Sequence, residues 1–312
     1  MDQPGRVVQT GWCETHQVFD GFAEWDVALR TGVTVHGRSG GAGPPIVLLH
    51  GHPRAHTTWY RVAPMLASRG FTVVCPDLRG YGRSSKPEPD DKHEMYCDRA
   101  MASDVVALME HLGHQRFTVI GHDRGQGVAY RSALDHPDRV SGVGVLDGIP
   151  LLESVERTTA RFATEWWHWF FFAGSPHAQR VITADPEAWY GLDEEKRQAM
   201  GTENFDYVAA ALRDPMTVRA MLEDYRAGLS VDAENDRLTR KQGGTIGCPL
   251  LVAWSVHDDL EDLHGNPVEI WRRWATGPIT SERVDSGHHM AEENPDQVAD
   301  MVAAFARSLP AP

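Results

Sequence analysis

The sequence predicts an α/β fold with a mostly parallel, doubly wound sheet and an inserted helical cap. Short apolar runs, typical of buried parallel strands, alternate with amphipathic helical segments. This alternation stops near residue 148 and resumes near residue 246, and the stretch between is helical in pattern. The length of 312 residues suits one α/β domain that carries an inserted subdomain. We therefore assign residues 1–148 and 246–312 to the core domain and 149–245 to the helical cap.

The elements follow from local patterns. Helices are predicted at 57–70 and 98–113, both of which end on glycine, and at 296–309 behind a proline. A cap inserted between two strands would lie over the carboxyl edge of the sheet, where it can exclude water. The strands are predicted, in chain order, at 25–30, 34–37, 46–50, 71–76, 117–122, 140–147, 249–254 and 279–285.

Composition narrows the classes of function. A net charge of −14 argues against nucleic-acid binding through a broad basic face. No apolar run approaches the ~20 residues that span a membrane, and "MDQPGRVVQTGW" does not resemble a secretion signal. Neither the four cysteines (Cys13, Cys75, Cys97 and Cys248) nor the 16 histidines show metal-ligand spacing. We expect a cytoplasmic protein with reduced thiols and without metal, organic cofactor, nucleic-acid or membrane partner.

The stretch "GHDRGQG" (121–127) has the spacing of a nucleophile elbow, with Asp123 in the position of the nucleophile. It follows the strand "FTVI" and precedes a helical segment, which is the context the motif requires. Gly121 and Gly125 flank the turn, and the backbone N–H of Arg124 is predicted to face an oxyanion site.

A carboxylate at this turn indicates displacement at a saturated carbon. With an unperturbed pKa of about 4 it is ionised at neutral pH and needs no base to attack a carbon that carries a leaving group. The product would be an ester on Asp123. Water must then hydrolyse that ester, which requires a general base and an oxyanion hole.

Candidates for these roles follow other strands. "DSGHHM" (285–290) offers His288 as the base, with its neighbour His289 as the competitor. The order nucleophile, acid, histidine is that of the α/β-hydrolase fold. The backbone N–H of His52 is the predicted second oxyanion donor. Asp147 or Asp258 could orient the histidine, and the other is expected to be only a loop carboxylate.

The chain resembles the α/β-hydrolase superfamily and, within it, the fluoroacetate/haloacetate dehalogenases, over nearly its whole length. The segments that carry the resemblance are "HGHPRAHTTWYRVAPMLASRGFTVVCPDLRGYGRSSKP" (50–87), "GHDRG" (121–125), "ALDHP" (133–137), "LDGIP" (146–150), "WHWFF" (167–171) and "EDYRAG" (223–228). "LDGIP" is similar to the stretch that carries the acid in that family, so the resemblance favours Asp147. It also implies a small haloacid substrate and a homodimer.

The cap segments are similar to those that hold the leaving halide in that family. The resemblance assigns this role to His168, Trp169 and Tyr225. All three side chains can donate hydrogen bonds, which a strongly hydrated halide needs when it leaves water.

Only one of the two substrate-binding arginines of that family is present in this chain. The pattern His-Asp-Arg-x-x-Arg clamps the carboxylate of a haloacid, and this chain keeps Arg124 but has Gly127 at the second place. A lost contact of this kind costs on the order of 1.5–3 kcal/mol. The true substrate could therefore be larger or uncharged, or Arg54 could supply the missing charge.

Three other functions compete. An epoxide hydrolase would use Tyr225 and a second cap phenol, either Tyr207 or Tyr190. A haloalkane dehalogenase usually has tryptophan directly after the nucleophile, where this chain has Arg124. A non-catalytic binding protein of the same fold would often lose part of the triad, which is complete here.

Overall fold

The structure, a computed structural model, describes residues 19–310, and within them an eight-stranded sheet forms the centre of the molecule. Its strands are β1 (Ala23–Ala28), β2 (Thr34–Gly41), β3 (Pro45–Leu49), β4 (Thr72–Pro76), β5 (Phe117–His122), β6 (Val140–Leu146), β7 (Leu250–Ser255) and β8 (Ile279–Val284). The spatial order is β1-β2-β4-β3-β5-β6-β7-β8. β2 pairs antiparallel with β1 and β4, and all other pairings are parallel. The predicted mostly parallel sheet is confirmed.

The strands read as continuous apolar runs because both faces of the sheet are covered. Val47 and Leu49 of β3 belong to one hydrophobic cluster, whereas Ile46 and Leu48 belong to a second cluster. Successive side chains of a strand point to opposite faces, so the two clusters lie on opposite sides of the sheet. β5 and β7 are buried along their whole length.

Helices surround the sheet, and several of them carry residues of the site described below. α2 packs on α3, which begins directly after the elbow and lies beside β5 and β6. A π-helical turn at Gly228–Asp232 joins α11 to α12, and short 3₁₀ helices occur at His56–Trp59 and Glu94–Tyr96. The α-helices are α1 (Val62–Ser68), α2 (Asp98–His111), α3 (Arg124–Asp135), α4 (Leu151–Glu156), α5 (Ala160–Glu165), α6 (Trp167–Gly174), α7 (Ala178–Ala184), α8 (Pro186–Tyr190), α9 (Glu194–Met200), α10 (Thr202–Leu212), α11 (Pro215–Ala227), α12 (Ala233–Lys241), α13 (Leu260–His264), α14 (Pro267–Trp271), α15 (Met290–Glu293) and α16 (Pro295–Ser308).

The helix predicted over 57–70 is wrong in one respect, because the structure divides it. A 3₁₀ helix at His56–Trp59 is followed by α1, which starts at Val62. Pro64 explains the break, since proline is tolerated in the first turn of a helix but loses a hydrogen bond and clashes in the interior. Starting at Val62 places Pro64 in the first turn.

In the described part of the chain, nine α-helices lie between β6 and β7, in the stretch assigned to the cap. Their buried residues, such as Phe162, Trp169 and Tyr225, join the same cluster as Val143 and Val145 of β6. These helices therefore pack against the sheet as part of one apolar interior.

Among residues 19–310, no helix is long and apolar enough to cross a membrane. Cys75, Cys97 and Cys248 are unpaired thiols in that range, whereas Cys13 and the N-terminal segment inspected for a signal lie outside the described residues.

Candidate active site

The elbow between β5 and α3 holds Asp123 in a backbone conformation that few side chains adopt. Its φ is 51° and its ψ is −122°. A Cβ on Gly121 would lie 2.1 Å from the carbonyl oxygen of Gly125, and a Cβ on Gly125 would lie 2.4 Å from that of His50. Both flanking positions thus require glycine, and the turn exposes the Asp123 carboxylate at the carboxyl edge of the sheet.

One oxygen of that carboxylate is held by backbone donors. The N–H of His52 donates to Oδ1 of Asp123 at 2.6 Å, and the backbone of Arg124 also bonds to the carboxylate. A Cβ on Gly51 would meet Oδ1 at 2.2 Å, so this close approach requires glycine as well. The structure therefore places both predicted oxyanion donors on the Asp123 carboxylate, with the N–H of His52 on Oδ1.

His288 stands beside the other oxygen. Its Nε2 lies 3.6 Å from Oδ2 of Asp123. Its Nδ1 lies 2.8 Å from Asp147 and 2.9 Å from Asp258. The expectation that one of these acids is only a loop carboxylate is wrong, because β6 and β7 are neighbours in the sheet and both acids follow their carboxyl ends. Asp147 is fully buried, whereas the side chain of Asp258 is 23% exposed.

The ionisation of this group follows from its geometry. Burial alone would raise the pKa of Asp123, but the hydrogen bond and charge of His288 outweigh it and hold that pKa well below its usual range. Burial likewise lowers the pKa of His288, but bonds to three carboxylates raise it well above the ordinary value. Burial raises the pKa of Asp147 to about 6. Burial also favours a higher pKa for Asp258, but the hydrogen bond to His288 lowers that pKa to about 2.

The neighbouring histidines do not share this position. His289 is the competitor named from sequence, but its ring centroid lies 5.2 Å from that of His288, and burial holds its pKa well below the usual value. His122 was missed by the sequence reasoning. Its Nε2 lies 2.7 Å from the carbonyl oxygen of His288, so it supports the loop that carries that residue. Its place directly before Asp123 was the available signal.

The three cap residues expected to hold halide come together. The Tyr225 ring lies 6.1 Å from that of His168 and 6.0 Å from that of Trp169. The indole N–H of Trp169 is buried and has no hydrogen-bond partner among the described residues. Burial lowers the pKa of His168, which favours the neutral ring with one N–H donor. An unpartnered buried donor is costly, and an acceptor that binds there would relieve the cost.

The two arginines considered as carboxylate ligands are both committed to acids. Nε and Nη2 of Arg124 donate to the carboxylate of Asp224, the former at 3.1 Å. Arg54 forms a bidentate pair with Glu292 at 2.9 and 3.0 Å. The idea that Arg54 supplies a missing charge is therefore wrong, because Glu292 neutralises it.

A cavity of about 450 Å³, part of it open to solvent, lies against the nucleophile. Its described lining includes Asp123, Arg124 and Trp169, but neither His168 nor Tyr225. It also includes Asp98, Gln126 and Gly127, of which only Gly127 was considered from sequence. No local motif marks Asp98 or Gln126.

The tyrosines named for an epoxide hydrolase lie in different places in the structure. The hydroxyl of Tyr207 donates to Asp77, so this phenol is occupied elsewhere. Tyr190 is buried, and its ring lies 5.9 Å from His52, whose ring is 5.2 Å from Tyr225. The rings of Tyr190 and Tyr225 therefore both lie against that of His52.

Two groups of described side chains are compact enough to hold a metal ion. One, made of His122, Asp147 and His288, belongs to the arrangement beside Asp123. The other is made of His36, His56 and Asp77. There, both Asp77 oxygens already accept protein donors, Oδ1 from the backbone N–H of His56 and Oδ2 from that of Arg83. Nε2 of His36 and Nε2 of His56 are buried and have no hydrogen-bond partner among the described residues.

Known proteins show the same architecture. A family model described as alpha/beta hydrolase fold matches residues 44–295. A fluoroacetate dehalogenase from Burkholderia sp is 38% identical over 297 residues, which cover 92% of this chain and 95% of that protein. A soluble epoxide hydrolase from Corynebacterium sp. (strain C12) is 32% identical over 292 residues, which cover 89% and 95%.

Among solved structures, ALR0039 from Nostoc sp PCC 7120 superposes with a TM-score of 0.88 at 35% identity. The match covers 93% of this chain and 99% of that one. The fold and the resemblance predicted from sequence are thus confirmed, and relatives named for two different reactions share it.

Proposed function

The chain belongs to the alpha/beta hydrolase fold family, and on that premise we propose that it is a hydrolytic dehalogenase. Its substrates would be small compounds of the haloacid type, with the halogen on the carbon next to a carboxyl group or its derivative. The observation that carries the proposal is the unpartnered indole N–H of Trp169 in the cavity wall next to Asp123.

In the first step, Oδ2 of Asp123 attacks the carbon that carries the halogen. A C–O bond forms, the C–halogen bond breaks, and the halide leaves with the bonding electron pair. Oδ2 is suited to this role because the backbone N–H of His52 holds the other oxygen. Trp169, His168 and Tyr225 would donate to the leaving halide and replace its hydration.

In the second step, water hydrolyses the ester. Nε2 of His288 takes a proton from water, whose oxygen attacks the carboxyl carbon of Asp123. The bond between that carbon and Oδ2 then breaks, and the product leaves as an alcohol after His288 returns the proton to its oxygen. The backbone N–H of His52 stabilises the negative charge that develops on Oδ1. Esterification of Asp123 removes one of the three carboxylates that raise the pKa of His288, so that pKa falls and the histidine gives up its proton more readily after the first step.

Epoxide hydrolysis is the second candidate, because the rings of Tyr190 and Tyr225 both lie against that of His52. A phenol pair could protonate the oxygen of an opening epoxide. The nucleophile and base would be the same in both reactions.

Trapping the ester tests the proposal. His288→Asn should stop the second step and leave the first intact. We would incubate it with fluoroacetate, chloroacetate, chloroacetamide, 2-chloropropionate and an aryl epoxide, and then map adducts by peptide mass spectrometry. We expect an adduct on Asp123 from a halogenated compound, with one halide released per chain. His289→Asn is the matched control, and it should turn over without accumulating adduct.

An adduct from the epoxide alone would replace this proposal with the second candidate. Absence of any adduct on Asp123 would contradict both and would favour a protein that only binds small molecules.

A further inference from the structure

Gly127 lies where the sequence pattern would place a second arginine, and the space beside it is occupied by an acid. A Cβ on Gly127 would lie 2.4 Å from Oδ2 of Asp98, the first residue of α2. Both residues line the cavity that contains Asp123. The cavity wall beside Gly127 therefore carries a carboxyl group in place of a cation.

This carboxyl group lacks a hydrogen-bond donor among residues 19–310. Asp98 is 1% exposed, and neither of its side-chain oxygens has a hydrogen-bond partner among the described residues. Gln126, also in the cavity lining, adds a second free acceptor. Its Nε2 donates to the carbonyl oxygen of Ile149, which fixes the amide and leaves Oε1 buried and unpartnered. Buried acceptors without donors are costly, so a ligand that supplies N–H groups would relieve them.

The positive charge at this part of the cavity wall is already balanced. Arg124 commits Nε and Nη2 to Asp224, which leaves Nη1 as the nitrogen without a described partner. A haloacid carboxylate would meet this one remaining donor and face the Asp98 carboxyl group. A primary amide would suit the same surroundings, because its carbonyl oxygen can accept from Arg124 and its NH₂ group can donate to Asp98 and Gln126.

We propose that the cavity selects haloacetamides, the primary amides of small haloacids, over the corresponding haloacids. The inference rests on the proposed dehalogenase function and names its substrate class. Asp123 would displace the halide from the carbon next to the amide, and water would release the product. One haloacetamide and one water give one 2-hydroxyacetamide, one halide and one proton, and the C–N bond of the amide stays intact.

The ionisation of Asp98 makes the preference for the amide over the acid depend on pH. Burial raises the pKa of Asp98 to about 7, so it is mostly neutral below that pH and charged above it. The neutral acid can donate to a carboxylate, whereas the ion repels one. The charged groups that face it from α3, α11, the π-helical turn and α12 are Arg124, Arg131, Asp224, Asp232 and Asp236.

The test compares kcat/KM for chloroacetamide and chloroacetate by halide release, after subtraction of the Asp123→Asn background. In the wild-type protein we expect at least a roughly tenfold preference for the amide near pH 8, which shrinks toward about pH 6. Asp98→Asn should reduce the preference about tenfold and remove its pH dependence. Glu110→Gln removes one exposed carboxylate from the same helix and should change neither.

A preference for chloroacetate near pH 8, or a ratio that Asp98→Asn does not move, would overturn the inference while dehalogenation stands. The wild-type measurement needs no variant, so misfolding of Asp98→Asn would leave it decisive. Failure of the dehalogenase proposal itself would appear differently, as the absence of an Asp123 ester from either compound in His288→Asn.

Discussion

The carboxylate of Asp258 lies 2.9 Å from Nδ1 of His288. Asp147 contacts the same nitrogen at 2.8 Å, so the histidine has two acids in place of the usual one. They differ in surroundings, because Asp147 is fully buried and accepts the N–H of Ser255, whereas Asp258 is partly open to solvent. We infer that Asp147 mainly orients the ring and Asp258 mainly adds charge.

Asp258→Asn should therefore shift a pH profile more than it lowers activity. Loss of one negative charge lowers the pKa of His288, and a base with a lower pKa stays neutral to lower pH. The acidic limb of the kcat profile should move down by roughly 0.5–1 pH unit. Asp147→Asn is the matched variant and should lose on the order of 100-fold or more in kcat, since the ring would lose its orientation. Equal losses and unmoved limbs in both variants would refute this division.

Trp169→Phe should weaken catalysis at the halide. The substitution removes the unpartnered indole N–H and keeps an aromatic ring in the packed cap. We expect the single-turnover rate constant for halide release to fall about 10²-fold. The loss should be larger for fluoride than for chloride, because leaving fluoride needs hydrogen-bond donors more than chloride does. Trp167→Phe changes the same residue type in α6 at a position that is 51% exposed, and its rate should match the wild type. Equal rates in both variants would exclude the indole from halide binding.

The sequence predicted what local pattern encodes and missed what tertiary contacts create. The elbow could be predicted because Gly121, Asp123 and Gly125 are close neighbours in the chain and the turn leaves no room for a side chain at either glycine. The absence of an arginine at Gly127 can also be seen in the sequence. The group that fills the space cannot, because Asp98 reaches it from the start of another helix.

The two arginines show the same limit. Their charge is visible in the sequence, but their acidic partners are distant in the chain. Glu292, which binds Arg54, lies 238 positions away, and Asp224, which binds Arg124, lies 100 positions away. A charge count along the chain cannot show which cations are already neutralised.

Asp98→Asn should stabilise the protein in a pH-dependent way. The folded pKa of Asp98, about 7, lies above the ordinary value near 4, so the folded state disfavours its ionised form. The resulting penalty grows as pH rises from about 4 to about 7 and is constant above that range. Asparagine cannot ionise, so the variant should gain roughly 1–3 kcal/mol of unfolding free energy near pH 8 and little near pH 4. Urea unfolding at both pH values measures this, and a gain that does not change with pH would contradict it.

Removing the Asp98 carboxyl group and adding an arginine at position 127 should shift the preference of the cavity from the amide toward the haloacid. In Asp98→Ala/Gly127→Arg, the first change clears the carboxyl group that a side chain at 127 would strike, and the second adds a guanidinium at the cavity end. A charge-assisted contact to a carboxylate contributes about 1.5–3 kcal/mol, so kcat/KM for chloroacetate should rise ten- to a hundredfold or more.

Asp98→Ala/Gly127→Met is the control for this double variant, because it fills the space beside α2 without a charge. It should gain far less on chloroacetate, since only the Asp98 repulsion has been removed. If both double variants gain equally, the added charge does not reach the substrate, and the cavity end beside Gly127 does not bind the carboxyl end of the molecule. A gain restricted to the arginine variant would place that end of the substrate between α2 and the first turn of α3.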